Sequence, residues 1–293
     1  MDPRAVRLAT LAWKVERHAS LAAYAARLDA LVAEAAPRAD LLLMPEYASM
    51  ELAPTLAAEP GEAAELVAMV DAYDEVLAAM RAAAVRHKVW LQPGTLPMRS
   101  GGIIINRAPL IRPDGSLAFQ DKWQMTRFEN ERWGVSRGAS PRVFDTPWGL
   151  VGISICYDSE FPKHVRTQVE AGAWLVLVPT CTDSLAGFTR VAISARARAI
   201  ENQCILAVAP TVGSAPWSSA LDENVGAAGV YGPADRGFPD DGIIAEGALN
   251  APGWVYAEID AGMVETVRRE GAVLNHRDWP RAPIEPVTRA VFS

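Results

Sequence analysis

Residues 152–162 read Gly-Ile-Ser-Ile-Cys-Tyr-Asp-Ser-Glu-Phe-Pro. The apolar run ends at Cys156, and Pro162 follows, a residue favoured in the first turn of a helix. This pattern predicts a strand that ends at the cysteine and turns into a helix. Such a turn exposes a side chain at the sheet edge and leaves backbone N–H groups free nearby, as in a nucleophile elbow. The alternatives for Cys156 are a catalytic nucleophile and an inert core thiol.

Strands and helices alternate on both sides of this turn. Apolar runs predict strands at 6–13, 40–45, 89–96, 173–179, 205–210, 228–231, 242–246 and 254–259, and hairpins that join 103–111 to 117–123 and 142–145 to 150–156. Helical spacing predicts helices at 20–36, 61–87, 189–202 and 261–270, and one that begins near residue 161. We therefore expect one α/β domain of layered sheets and helices over residues 1–275, with an extended tail over 276–293.

Charge and hydropathy exclude several classes of partner. The net charge is −7, and acidic and basic residues are interspersed along the chain, which argues against nucleic acid and anionic membranes. The longest apolar runs are far shorter than the roughly 20 residues of a membrane span. Because the first residues lack the pattern of a secretory signal, we expect a cytoplasmic location.

Cysteine and histidine are too sparse for a metal or disulfide framework. The three cysteines, Cys156, Cys181 and Cys204, are widely spaced and form no CxxC pair. The four histidines show no spacing typical of metal ligands. We therefore expect no metal and no cofactor.

Two charged side chains follow predicted strands in the same way as Cys156. Glu46 comes directly after the apolar run 41–45, and Lys122 ends the second strand of a hairpin. Each alone would more often be a solvated strand end. Ligands in open α/β sheets bind beyond strand ends, so the three side chains together form one candidate site. A thiol with an ordinary pKa of about 8.5 needs a base or a cation beside it, and no histidine has an obvious place there.

Four motifs, in this order, resemble the nitrilase, or carbon-nitrogen hydrolase, superfamily. They are Leu43-Met-Pro-Glu46, Gln120-Asp-Lys122, Gly152-Ile-Ser-Ile-Cys156-Tyr-Asp and Arg196-Ala-Arg198-Ala-Ile-Glu201-Asn202. The first three resemble the family's catalytic motifs, and the fourth resembles its supporting helix. The resemblance implies a single-domain, four-layer α-β-β-α sandwich that assembles as a homodimer or a higher homo-oligomer. We also expect the tail 276–293 to pack at a subunit interface.

The resemblance implies a role for each residue of the candidate site. Glu46 acts as general base, Cys156 forms a thioester, and Lys122 and the backbone N–H of Tyr157 hold the oxyanion. Many members add a second glutamate between the lysine and the cysteine. We favour Glu131 for this role because its distance to the cysteine fits the family better, and Glu129 is the alternative.

The residues after the cysteine indicate a class of substrate but not an individual compound. Tyr157-Asp158 after the cysteine is more typical of the family's amidases than of its nitrilases, so we predict hydrolysis of a small linear amide. The alternatives are a nitrilase, an N-carbamoyl amidohydrolase, an amide-forming acyltransferase with the same triad, and a catalytically silent binding module. We expect the substrate pocket to include Tyr47, Glu129, Trp133, Asp183, Phe188 and Trp217.

Overall fold

Fourteen β-strands form the centre of the described structure. The computed structural model describes residues 5–279 and 289–290. Its strands, β1 to β14 in chain order, are Ala5–Lys14, Leu41–Leu43, Trp90–Gln92, Leu96–Ser100, Ile103–Ile111, Leu117–Asp121, Val143–Thr146, Gly149–Ile153, Leu175–Thr180, Ile205–Ser214, Glu223–Asn224, Gly229–Tyr231, Ile243–Glu246 and Gly253–Asp260.

Helices connect and cover these strands. Helices α1 to α8 are Leu21–Ala35, Ala53–Leu56, Glu62–Asp71, Tyr73–His87, Pro162–Glu170, Leu185–Asn202, Ala261–Glu270 and Asn275–Asp278. Several begin where the sequence supplies a cap: the side chains of Ser20 and Ser184 accept backbone N–H bonds at the starts of α1 and α6. Two 3-10 turns, Ala48–Leu52 and Cys156–Glu160, and a π-helical turn, Phe128–Trp133, belong to the loops near the candidate site.

The strands divide into two halves that meet where β1 and β10 pair near Trp13 and Thr211. In the first half, β1, β2 and β3 are parallel, β14 pairs with β1, and β4, β5 and β6 complete the sheet. In the second half, β8, β9 and β10 are parallel, with β7 on β8 and β12 and β13 beyond β10. Parallel strands aligned in this way bring their carboxyl ends to one edge of each half.

Strand alternation assigns each face to a layer. In β2, Leu41 and Leu43 join a core that also contains Ile153 and Leu177 of the second half, whereas Leu42 faces the opposite core. Successive side chains of a strand point to opposite faces, so one short apolar run serves both cores. The two halves therefore pack face to face.

Helices cover the outer faces of both halves. Leu28 of α1 and Met80 of α4 lie in the core on the outer face of the first half. Val165 of α5 and Val191 of α6 pack against the second half. The result is a four-layer α-β-β-α sandwich, as the motif resemblance implied.

Several predicted elements differ in detail. The strand predicted over 150–156 ends at Ile153, three residues before the cysteine, and the helix predicted over 189–202 begins at Leu185. The predicted helix 61–87 is two helices, α3 and α4, that meet at Ala72. The predicted strand 89–96 ends at Gln92. Gly94 follows with a φ of +91° and lies so close to the Pro45 carbonyl that a Cβ would be 2.0 Å from its oxygen. The predicted extended tail begins instead with the short helix α8, and residues 280–288 and 291–293 lie outside the described residues.

Across residues 5–279 and 289–290, we find no helix with the length and apolar character that a bilayer span requires.

Candidate active site

The three charged or nucleophilic candidates follow strands that end near one another. Glu46 follows β2, Lys122 follows β6 directly, and Cys156 follows β8. All three are buried: Glu46 is 2%, Lys122 1% and Cys156 4% exposed. The fold thus brings together the residues that the three motifs singled out.

Cys156 lies at a strained turn. Its φ is +47°, a left-handed conformation that costs a residue with a side chain about 1–3 kcal/mol. It opens the 3-10 turn Cys156–Glu160. The Thr180 hydroxyl donates to Sγ at 3.3 Å, and the thiol lies 3.7 Å from the Cys181 carbonyl oxygen, to which it can donate. This geometry matches the predicted elbow.

The ammonium of Lys122 bridges two buried carboxylates. Its Nζ donates to Glu46 Oε1 at 2.7 Å and to Glu129 Oε2 at 2.6 Å. Glu129 is only 2% exposed. Short charge-assisted bonds of this kind fix the lysine head between the two glutamates.

Neutral donors complete the coordination of both carboxylates. The Asn106 amide donates to Glu46 Oε1 at 2.9 Å and to Glu129 Oε1 at 3.4 Å. The Tyr47 hydroxyl donates to Glu129 Oε1 at 3.0 Å, and Thr126 donates to Glu129 Oε2 from its backbone N–H and its hydroxyl, both at 2.9 Å. Glu129 therefore has bonds on both oxygens that hold it ionised.

Burial and charge shift the pKa of each group. Burial raises the pKa of Glu46, and repulsion from Glu129 adds to the rise, while Lys122 opposes it. Burial would also raise the pKa of Glu129, but Lys122 and Thr126 together outweigh it and hold that pKa below its ordinary value. Burial lowers the pKa of Lys122, yet the two glutamates and Cys156 raise it well above its ordinary value.

Cys156 rests as a thiol. Burial raises the pKa of Cys156 well above its ordinary value, and the negative charge of Glu46 raises it further. Because the thiolate is the reactive form of cysteine, an attack by Sγ would require the removal of this proton. Glu46 is the carboxylate whose negative charge raises the pKa of this thiol. The pKa of Glu46 is itself raised, which makes it a stronger base.

The preference for Glu131 as the second glutamate is corrected. Glu131 is exposed, and its carboxylate accepts bonds at 2.8 and 2.9 Å from Arg127, which is itself exposed. In the turn Phe128–Trp133 only Glu129 points inward to the lysine. Glu129, the alternative left open by the sequence, is the glutamate that bonds Lys122, and we propose it for this role in place of Glu131.

A pair of substitutions separates these two glutamates. We expect Glu129→Gln to lower kcat/KM by about 10²-fold, because a catalytic group displaced by about 1 Å can lose that much. Glu131→Gln is the matched control two residues away, and we expect it to leave kcat/KM within about twofold. Steady-state kinetics of both variants give the comparison, and equal losses would contradict the reassignment.

Some of the other predicted pocket residues lie next to the charged groups, and others do not. Trp133 packs edge-on against Tyr47 with ring centroids 5.2 Å apart, so both lie next to Glu129. The ring of Tyr157 is half-buried against Phe161, and its backbone N–H directly follows the nucleophile.

Asp183 is exposed and accepts a bond from Ser184 at 3.0 Å. Within the described residues it does not belong to the hydrogen-bonded set around Lys122. Phe188 and Trp217 are partly buried, and Trp217 packs in the same outer core as Tyr47 and Trp133.

Two buried polar residues of the site were missed by the sequence analysis. Asn106 and its neighbour Arg107 are the two polar side chains in the otherwise apolar strand β5, which was a signal for Asn106. Asp158 accepts backbone N–H bonds from Trp123 at 3.1 Å and Gln124 at 2.6 Å, so it ties the nucleophile turn to the segment after Lys122. Burial raises the pKa of Asp158 to about 7.

Within residues 5–279 and 289–290, no group of three or more His, Cys, Asp or Glu side chains could hold a metal ion.

Comparison with known proteins gives one family and several similar chains. The carbon-nitrogen hydrolase family model matches residues 5–269. A probable hydrolase of Bacillus subtilis, YhcX, is 30% identical over 94% of this chain and 54% of its own length, so the chain spans about half of that relative. A deaminated glutathione amidase of Yersinia enterocolitica is 30% identical over 67% of this chain and 70% of its own length.

A solved structure gives the same result. A mutant of the Nesterenkonia AN1 amidase from the nitrilase superfamily superposes with a TM-score of 0.72 and 26% identity, covering 93% of this chain and 96% of that one.

Proposed function

This chain belongs to the carbon-nitrogen hydrolase family, and from that premise we propose that it hydrolyses a small amide through a thioester on Cys156. The family resemblance drawn from the motifs and the four-layer fold are confirmed. The proposal is supported above all by Lys122 held between Glu46 and Glu129 beside a buried thiol.

In the first half of the proposed reaction, Glu46 takes the thiol proton while Sγ attacks the amide carbonyl carbon. Negative charge develops on the carbonyl oxygen, where the Lys122 ammonium and the Tyr157 backbone N–H stabilise it. One such donor is typically worth about 10² to 10³ in kcat. The tetrahedral intermediate collapses, Glu46 returns the proton to the leaving nitrogen, and ammonia or an amine departs from the thioester.

The second half uses the same groups. Glu46 takes a proton from water, the hydroxide attacks the thioester carbon, and the same donors stabilise the oxyanion. Collapse breaks the carbon–sulfur bond and releases the carboxylic acid, and Glu46 returns its proton to the sulfur, which restores the thiol. A general base contributes about 10² to 10⁴ in rate to each such step.

The amide substrate class rests on two observations. Tyr157-Asp158 follows the nucleophile, and two of the similar proteins carry the name amidase. The experiment is ammonia release from a matched amide, nitrile and N-carbamoyl series. We expect the amide to be the fastest, and Cys156→Ala to abolish its turnover. Full activity in Cys156→Ala would end the proposal, and a faster nitrile or carbamoyl substrate would assign the same triad to that reaction.

The pH profile follows from the raised pKa of Glu46. The base must be ionised, so kcat/KM should fall as the pH decreases through a value above 4.5, the ordinary value for glutamate. Since Glu129 helps to raise this pKa, Glu129→Gln should move the acid limb to lower pH. Measurement of kcat/KM from about pH 4 to 9 gives the acid limb of the wild type and that of the variant. An acid limb that moves upward in the variant would contradict this assignment.

We propose further that the protein is a homodimer through α6. Leu185, Ile193 and Ile200 are 57%, 62% and 44% exposed, and their spacing puts them on one side of the helix. The family resemblance indicates that a second copy of this chain covers these three side chains. We also propose a cytoplasmic location, which the three free cysteines support.

Light scattering during size exclusion tests the dimer. We expect Ile193→Asp to convert the dimer to a monomer, because a buried unpaired charge opposes association. Val67→Asp places the same charge on an exposed valine of α3, on the opposite outer layer, and should stay dimeric. A dimeric Ile193→Asp would exclude this face.

A further inference from the structure

Asn106 is one of two polar residues in β5, and the other, Arg107, is partly exposed and directly follows it. Asn106 itself is 0% exposed and follows the buried Ile105. A buried amide costs free energy unless its groups are bonded. Its bonding partners therefore indicate why an amide stands at this position.

All side-chain bonds of Asn106 go to the two glutamates. Nδ2 donates to Glu46 Oε1 at 2.9 Å and to Glu129 Oε1 at 3.4 Å. Only the nitrogen side of the amide can face two ionised carboxylates. Within the described part of the chain, Oδ1 is buried without a hydrogen-bond partner, so no competing contact orients this side chain.

The backbone of the same residue contacts the third charged group. The carbonyl oxygen of Asn106 accepts the backbone N–H of Lys122 at 2.8 Å. One residue thus touches both carboxylates through its side chain and the lysine through its main chain. No other residue of the hydrogen-bonded set described above bonds all three.

The chemistry of the amide fits this position. It offers two N–H donors without a charge, so one hydrogen can go to each carboxylate. Aspartate would add a third negative charge, and leucine would remove both donors. A neutral double donor favours the ionised form of each carboxylate and adds no charge of its own.

We propose that Asn106 is a positioning residue that holds Glu46 ionised and oriented to take the proton of Cys156. This inference rests on the proposed function, because it assigns Glu46 as the base. The groups that act on Glu46 from the elements around it are Lys122, Glu129, Cys156, Cys181, Asp158 and Tyr47. Of these only Lys122 is a cation, so without the Asn106 donor Lys122 alone would offset the burial of Glu46 and the negative charge of Glu129.

Alkylation of Cys156 by iodoacetamide tests the proposal without an amide substrate. The rate is followed from about pH 5 to 9 by peptide mass spectrometry, which separates residue 156 from Cys181 and Cys204. We expect Asn106→Leu to move the acid limb upward by about one pH unit and to slow alkylation about tenfold below it, since a hydrogen bond to an ionised group is worth at least this factor.

Gln168→Leu is the matched control. Gln168 is also a buried amide, 1% exposed, whose nitrogen donates to the carbonyls of Ile153 and Arg142 at 2.8 and 3.1 Å and whose oxygen has no partner within the described residues. It shares the burial and bonding of Asn106 but not the carboxylates. We expect it to lower the melting temperature and to leave the acid limb unchanged.

The outcomes separate the alternatives. Coincident pH profiles for wild type, Asn106→Leu and Gln168→Leu would overturn the positioning role. If Asn106→Leu does not yield folded protein, Asn106→Ser keeps one donor and should shift the limb in the same direction by less, and an unmoved limb in that variant would overturn the role equally. Failure of the wild type to hydrolyse any amide would reject the proposed function and leave the alkylation comparison intact.

Discussion

Replacement of Lys122 by methionine is expected to lower kcat/KM by at least about 10³-fold and to destabilise the fold. The substitution removes the proposed oxyanion donor, and such a donor is typically worth about 10² to 10³ in kcat. It also leaves Glu46 and Glu129 buried next to each other without the ammonium that joins them. One of the two must then bind a proton, and the loss of one partner from a buried ion pair typically costs about 3–5 kcal/mol.

Two further variants test the physical cause of this effect. Lys163→Met changes an exposed lysine at the start of α5 and should leave activity and melting temperature near wild type. Adding Glu129→Gln to Lys122→Met removes one of the uncompensated carboxylates, so it should recover part of the lost stability and little of the activity. A Lys122→Met protein with a wild-type melting temperature would contradict the buried ion pair.

Glu46→Gln is expected to lower kcat/KM by about 10² to 10⁴ while the protein stays folded. Glutamine keeps the size of the side chain and an oxygen that can accept from Lys122, but it cannot take a proton. Since the pKa of Cys156 is raised well above its ordinary value, the thiol would stay protonated at neutral pH. Both formation and hydrolysis of the thioester should slow.

Glu51→Gln is the control for a buried carboxylate on the same segment. Glu51 is 0% exposed and accepts bonds from Trp13 at 3.0 Å and Arg27 at 2.8 Å. Its loss should lower the melting temperature and change kcat/KM by only a few fold. Similar kinetic losses in the two variants would show that the effect of Glu46→Gln is structural.

Short apolar runs predict much of the fold, because a strand that lies between two cores is apolar at every position and not at every second one. Leu41, Leu42 and Leu43 of β2 serve both cores in turn. The strand predicted over 89–96 ran past the end of β3 at Gln92, although Pro93-Gly94 is a turn signal at that point. The junction of α3 and α4 at Ala72 has no such signal, since alanine favours a helix and the break reflects tertiary packing.

The candidate site was predictable where a side chain ends a strand and ambiguous where it lies in a loop. Glu46, Lys122 and Cys156 follow apolar strands whose ends converge. Glu129 and Glu131 share one π-helical turn, in which a separation of two residues reverses the direction of the side chain. Distance along the chain to the cysteine therefore could not decide between them, and only the bond to Lys122 does.

Intact-mass spectrometry of the protein, acid-quenched during turnover of an amide, tests the thioester at Cys156 most directly. The account predicts a mass increase equal to the acyl group, which maps to residue 156, is removed by hydroxylamine, persists longer in Glu46→Gln and is absent in Cys156→Ala. Steady release of the acid by the wild type with no adduct at any quench time, and equal release by Cys156→Ala, would contradict it.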